Sequence, residues 1–550
     1  MGPELSQRPR IATPEEAVAS IPDGGTITIS GTIGYMLTIP VLDALERRFL
    51  ETGHPCDLTW FDIFPTGLGG IEPLAHYGLL KRVLSGWYTL HPRLREMVNA
   101  EQVAGYCYPL GTLGFWCRAS AAGQALLTET GLDTYMDPTH DGANAGGCLN
   151  RMAASEALVE RVELASGPQL MFRPMPVDVA IIRGTTVDRA GNLSLEDEQV
   201  TMSVLHQALA AKRQPGGQVI VQAARLVDEG EIAPRHVAVP GELVDQIVIH
   251  SEAHVDESAP MLDWMDQEAQ LPRPPRQVML DHDTEVWRRW QEAGETPAPS
   301  ERKLTADIIA GRRALMELKR GELVNLGLGP PMRDVAAAAV DDDVDPELRF
   351  SVETGVLGGV MNGRWYRSGV TSILETADIF SMYTTSVMDA SCLGMLEFDA
   401  QGNVNLLRYG DTIVGPGGSM DIGAHIQRLV FIAPFRAGGL KALGQDGNLR
   451  IEREGKFSRA VEQVQAVCFN GPRMFEQGKL VRYVTERAVF ELTKLGPMLT
   501  EIAPGVELQR DILSLMDFRP VISSDLRTMD TRIFTQGQVG IRDDWGLPPL

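Results

Sequence analysis

Glu353 stands where a carboxylate can react. The segment Arg349-Phe350-Ser351-Val352-Glu353-Thr354-Gly355-Val356-Leu357-Gly358-Gly359 leads a short apolar strand into a turn and sets three glycines close behind the acid. Glycine lets backbone approach a bulky ligand closely and adopt φ values closed to other residues. A carboxylate held at such a junction can act as a covalent nucleophile when nearby donors stabilise the oxyanion that forms. The same pattern also suits a solvated glutamate at a strand end, and the segment alone does not choose.

Two further glycine loops follow apolar runs. Leu326-Gly327-Leu328-Gly329-Pro330-Pro331 lacks the spacing of a dinucleotide fingerprint and the Lys-Ser/Thr of a P-loop. Val414-Gly415-Pro416-Gly417-Gly418-Ser419 is the second. Backbone N–H groups at Gly327, Gly329, Gly415, Gly417 and Gly418 are candidate donors to an oxyanion or a phosphate, with Gly358 beside the acid as a further point of close approach. Each loop reads equally well as a structural turn. No Gly-x-Ser-x-Gly elbow is present, so a serine triad is not identifiable. The six cysteines (Cys56, Cys107, Cys117, Cys148, Cys392, Cys468) form no Cys-x-x-Cys pair, and no His-Glu-x-x-His occurs. No metal site or disulfide framework is expected, and free thiols fit a reducing cytoplasm.

The elements that must position these residues are short Val/Ile/Leu-rich strands alternating with helical patterns. Gln218-Val219-Ile220-Val221-Gln222, Gln246-Ile247-Val248-Ile249 and Arg428-Leu429-Val430-Phe431-Ile432 are continuous apolar runs. A sheet covered on both faces requires runs of this kind. The spacing predicts an α/β fold with two related open α/β domains and mostly parallel sheets. Ligands on such sheets lie beyond the carboxyl ends of the strands, which is where Glu353 and the loop after Leu326 fall.

The construction occurs twice. Val177–Gly184 is followed by Asp188-Arg189-Ala190-Gly191-Asn192, and Cys392–Phe398 by Asp399-Ala400-Gln401-Gly402-Asn403. Both read as strand, Asp-x-x-Gly-Asn turn, strand, with the Asp closing the turn. Gly25–Gly31 and Gly321–Gly327 form a second echo in the same order. The expected division is an N-terminal domain over 1–266, a Pro-rich linker with a short helix over 267–302, and a C-terminal domain over 303–550 carrying the acid.

At 550 residues, 44% hydrophobic and 22% charged, the chain has the composition of a globular protein of two or more domains. No run of 18 apolar residues exists, and the polar start Met1–Arg10 lacks a signal-peptide core, which points to the cytoplasm and away from a membrane. A net charge of −23 disfavours nucleic acid and anionic membrane as partners.

The motifs in combination resemble the glutamate-dependent (family I) coenzyme A transferases in their long single-chain form with fused halves. The matching stretches are Ser351–Gly359, Glu397–Val404, Tyr483–Phe490 and Ile502–Leu508, then Asp511–Leu513, Met516–Phe518 and Pro520–Ser523. Phe64–Gly69, Ile182–Thr186 and Glu196–Glu198 match in the N-terminal half. The resemblance implies that Glu353 is the nucleophile and that the fold is two Rossmann-like α/β domains with the site between them. It further implies acyl-CoA and a small carboxylic acid as substrates, no permanently bound cofactor, and a homo-oligomer, dimer or tetramer. One stretch departs from the pattern. Ile379 stands where the family usually has Gln, and Thr385, Ser386 and Val387 stand where it has glycines. An acyl-CoA hydrolase or C–C lyase on the same fold, and a non-catalytic CoA-binding or assembly protein, are the rival readings.

Overall fold

The computed structural model describes residues 8–32, 35–140, 142–198, 200–250, 303–329, 331–358 and 370–548. The expected linker over 267–302, with its helix, lies outside them, as does Gly359. The chain divides into two compact units. The first holds the described residues up to 250 together with Ile373–Asp378 and Asp411–Gly417; the second holds those from 303 to 372, Ile379–Gly410 and those from Gly418 onward.

In the first unit, strands lie in the order Arg10–Ile11, Gln246–Ile249, Gln218–Val227, Val179–Asp188, Thr26–Ile29, Leu58–Phe61, Leu80–Ser85, Ala104–Cys107. Every neighbouring pair along this path is parallel. Thr26–Ile29, Leu58–Phe61 and Val179–Asp188 are buried along their whole length, as strands covered on both faces must be.

The second unit repeats the central part of this order. Leu480–Val484, Arg428–Ile432, Ala390–Gly394, Leu323–Leu326 and Arg349–Val352 lie side by side, all parallel. They correspond, in chain order as well as in space, to Gln246–Ile249, Gln218–Val227, Val179–Asp188, Thr26–Ile29 and Leu58–Phe61 of the first unit. The flanks of this second sheet differ from the parallel expectation. Val356–Gly358 runs antiparallel to Arg349–Val352, and Ala488–Thr493 and Gly496–Ile502 form an antiparallel meander after Leu480–Val484. The connections of three residues at 353–355 and 485–487 are too short for a parallel crossover, so hairpins are the geometry that remains.

The repeated turn shares its closing hydrogen bonds. Asp188 Oδ1 accepts from the N–H groups of Ala190 and Asn192, and Asp399 Oδ1 from those of Gln401 and Asn403, all at 2.9 Å. Asn192 and Asn403 in turn accept, through Oδ1, the N–H of Gly241 at 3.1 Å and of Gly471 at 2.9 Å. A Cβ at Gly241 would stand 2.1 Å from Ala190 O, and one at Gly471 2.5 Å from Gln401 O. The same packing demand selects glycine at the same place in both units.

Several remaining motif residues hold the scaffold together. Arg183 and Glu198 form a buried pair at 3.1 Å. Glu486 accepts from Arg487 at 2.6 Å and from the Phe435 N–H at 2.7 Å. His91 accepts the Gly67 N–H at Nε2 (3.0 Å) and faces Trp87 O with Nδ1 (3.2 Å), which fixes a neutral ring with its proton on Nδ1. Burial pushes its pKa down to about 3.

Candidate active site

Glu353 is the first residue of the turn that joins Arg349–Val352 to Val356–Gly358. Val352 pairs with Val356, and the Gly355 N–H closes the turn on Val352 O at 3.0 Å. Gly355 has φ +107, which an L side chain rarely adopts, so glycine is required for the turn. The acid is therefore held at the carboxyl end of a parallel strand, at only 3% exposure.

The solvated reading is thereby excluded. The Gly418 N–H donates to Glu353 Oε2 at 2.9 Å. Burial lifts the Glu353 carboxyl to about 7; this N–H pulls it back down, and the charge of Asp421 adds to the rise. The Gly418 N–H, which favours the charged form, is fixed in the backbone.

Gly418 can be nothing larger. An added Cβ would lie 2.0 Å from Glu353 Oε2 and 2.7 Å from the Phe380 ring. Its φ of −86 is open to any residue, so the constraint is space and not backbone strain. The Phe380 ring meets Tyr383 edge-on at 5.4 Å between centroids. Tyr383 accepts from Asn325 Nδ2 at 3.0 Å, and Asn325 Oδ1 accepts from Ser391 at 2.8 Å. Burial, with the Glu353 charge adding to it, lifts the Tyr383 phenol well above its usual range, so it remains a neutral wall of the pocket. Tyr383 lies in the stretch that departs from the family pattern, whereas no motif spacing singles out Asn325. A polar Asn in the apolar run Leu323–Leu326 is the signal that marks it.

The other glycines divide. Gly327 and Gly329 follow Leu323–Leu326, whose carboxyl end lies beside that of the Glu353 strand. The Gly327 N–H is engaged by Cys392 O at 2.9 Å, and its carbonyl accepts from Met332 at 3.2 Å, so it offers no free donor. Gly329, at φ +104, faces open space. Gly358 closes the return strand at φ +76. Gly415 and Gly417 belong to the first unit. There the Gly417 N–H donates to Gly86 O at 3.1 Å, and a Cβ at Gly415 would meet the same carbonyl at 2.5 Å. The Gly417 N–H is thus already engaged, and Gly415 lies too close to Gly86 to carry a side chain.

The departing stretch is also resolved. Ile379 is fully buried, whereas Thr384, Thr385, Ser386 and Val387 are exposed, with Val387 at 52%. Val387 is not among the residues of positive φ, so the β-branched side chain sits there without strain. The Thr385 hydroxyl donates to Met382 O at 2.6 Å and closes the turn that ends the helix Thr376–Tyr383.

A second buried acid emerges in the first unit. Asp62 directly follows Leu58–Phe61, the strand that corresponds to Arg349–Val352, and it is fully buried. Its Oδ2 accepts from Ser85 Oγ at 2.8 Å, and burial pushes its carboxyl up to about 7. Both units thus place a buried carboxyl after the same strand of the shared order. No feature of the sequence around Asp62 marked it, since an Asp at a strand end is usually a solvated turn residue.

A family model described as Coenzyme A transferase matches residues 11–250. The acetate CoA-transferase YdiF of Escherichia coli (strain K12) is 34% identical to the chain, over 98% of it and 97% of that relative. The caffeate CoA-transferase of Acetobacterium woodii is 32% identical, over 96% and 98% respectively. A crystal structure of the acyl-CoA transferase YdiF from E. coli O157:H7, in a thioester complex with CoA, matches with a TM-score of 0.84 at 30% identity and covers 97% of both chains. With matches of this extent, and a fold that repeats the same parallel order twice, the chain belongs to the coenzyme A transferase family and is an enzyme of the acyl-CoA:carboxylate CoA-transferase type.

Proposed function

We propose that the enzyme transfers CoA through a covalent glutamyl-CoA thioester on Glu353. The carrying observation is the buried carboxylate with its Oε2 on a fixed backbone donor. Glu353 Oε1 attacks the carbonyl carbon of the acyl-CoA; the carbon–sulfur bond breaks, and CoA leaves as the thiolate. The thiolate then attacks Cδ of Glu353 in the mixed anhydride, and the Cδ–Oε1 bond breaks, so that the first acid leaves as a carboxylate carrying Oε1. In this step Oε2 carries the negative charge, and the Gly418 N–H is already placed on it. The acceptor carboxylate attacks Cδ of the glutamyl thioester, and the released thiolate takes the new acyl group from the second anhydride. Glu353 is regenerated, and no net proton is transferred.

Keeping the thioester on the protein avoids its loss to water, and binding of the remote part of CoA can be used to drive the anhydride steps. Gly329, in the loop after Leu323–Leu326 at the carboxyl edge of the second sheet, and Gly358, on the strand that returns from Glu353, are the backbone positions where we place close approach of CoA. The YdiF thioester complex supports a covalent route.

The test uses acyl-CoA without acceptor. The parent should accumulate CoA on the Glu353 peptide, reducible by borohydride and mapped by mass spectrometry. Glu353→Gln, which keeps size but not charge, should lose transfer by several powers of ten while folding normally. An adduct on another residue, or full activity in the Gln variant, overturns the assignment. Steady release of free CoA without acceptor or adduct favours a hydrolase.

A further inference from the structure

The first unit carries the donor set of a metal site away from the reacting edge. Among the described residues, Asp23, His54 and Cys56 form the one group of three whose ligand atoms all lie within 4.8 Å of one another. Two loops deliver them. Asp23 precedes the strand Thr26–Ile29, and His54 and Cys56 lie between the helix Ile39–Thr52 and the strand Leu58–Phe61.

The loops are tied before any ion binds. The Gly24 N–H donates to Cys56 O at 2.8 Å, and the Cys56 N–H to Asp23 Oδ1 at 2.9 Å. The His54 N–H donates to Thr52 Oγ1 at 3.1 Å. This leaves His54 Nδ1 facing Asp23 Oδ2 at 2.8 Å, and Cys56 Sγ 4.0 Å from Asp57 Oδ2.

We propose that Asp23, His54 and Cys56 form a surface site for a divalent transition ion of the zinc class. One nitrogen, one sulfur and one carboxylate oxygen are ligand types that zinc takes. On binding, the Cys56 thiol bonds as thiolate and releases its proton to solvent. His54 bonds as neutral imidazole through Nδ1, and Asp23 through Oδ2, which exchanges its hydrogen bond to His54 for the metal.

The role is a clip between two loops. Thr26–Ile29 and Leu58–Phe61 run parallel, with Thr26 beside Thr59, so residues just before them lie at the amino end of the sheet. Ligands of such sheets bind at the opposite end. Spacing rules miss the trio because Asp23 lies 31 residues from His54 and 33 from Cys56.

The full chain, stripped with chelator, is titrated with zinc alone and with cobalt(II) alone. Cys56 is the one cysteine that is not buried, so a thiolate-to-cobalt charge-transfer band reports on it. One equivalent per chain, with that band displaced by zinc, is expected. Cys56→Ser should abolish the band, and Cys56→Ser and His54→Gln should each weaken zinc binding by at least about tenfold. Transfer by the parent should be the same with and without zinc. Failure to take up stoichiometric zinc, or parental affinity in a Cys56→Ser/His54→Gln double variant, shows that the trio is an ordinary surface hydrogen-bonded cluster and overturns the proposal.

Discussion

The backbone N–H of Gly418 sits 2.9 Å from Oε2 of Glu353, and a Cβ on Gly418 would sit 2.0 Å from that oxygen. One position thus supplies the donor and, by lacking a side chain, the room for the acid. Gly418→Ala keeps an allowed backbone but must displace the carboxylate or the Phe380 ring. Loss of the fixed oxyanion donor is worth roughly 10²–10³ in rate in other acyl-transfer enzymes, and a fall of about that size is expected here. Single-turnover adduct formation in a folded Ala variant measures it. A rate near that of the parent would mean that Gly418 does not hold the reacting oxygen.

The lifted Glu353 carboxyl predicts the pH dependence of adduct formation. Only the ionised form attacks, so the rate with acyl-CoA should rise with pH and reach half its plateau near 7. Stability moves the other way. A carboxyl whose pKa is raised in the folded state stabilises fully below its unfolded value of about 4.3, and that contribution is lost as pH rises through about 7. Glu353→Gln should therefore be more heat-stable than the parent at pH 8, with the difference closing toward pH 4. Equal melting temperatures at both pH values would show that the carboxyl is not held out of water.

The stretch around 379–387 predicts the substrate preference. Ile379 is buried where the family pattern has an amide, and Thr385, Ser386 and Val387 carry exposed side chains where it has glycines. A donor and acceptor pair other than acetyl-CoA and acetate should be turned over fastest. A panel of acyl-CoA donors and carboxylic acids, read by mass spectrometry, decides this. Isotope exchange between acetyl-CoA and acetate outpacing every other pair would remove the meaning assigned to these substitutions.

Asp399 closes its turn through the N–H groups of Gln401 and Asn403 and the side chain of Asn403. Asp399→Asn keeps an acceptor oxygen for the first two, so turnover should stay within about tenfold, or roughly 1.4 kcal/mol of barrier. A loss of several powers of ten in a folded variant would make Asp399 part of the chemistry.

The sequence by itself determined the features that are local. The Glu353 turn, the two Asp-x-x-Gly-Asn hairpins and the continuous apolar strands each depend on residues a few positions apart, where φ restrictions and side-chain-to-backbone hydrogen bonds act directly. Only the tertiary structure decided what each backbone donor serves. Gly327, Gly417 and Gly418 looked alike as loop glycines, yet their N–H groups go to Cys392, to Gly86 and to Glu353, the last 65 residues distant in the chain. The elevated acids were equally hidden. Burial pushes the Glu353 and Asp62 carboxyls up to about 7 because packing from distant segments removes water from them, and desolvation depends on the assembled core and not on neighbouring residues in the chain.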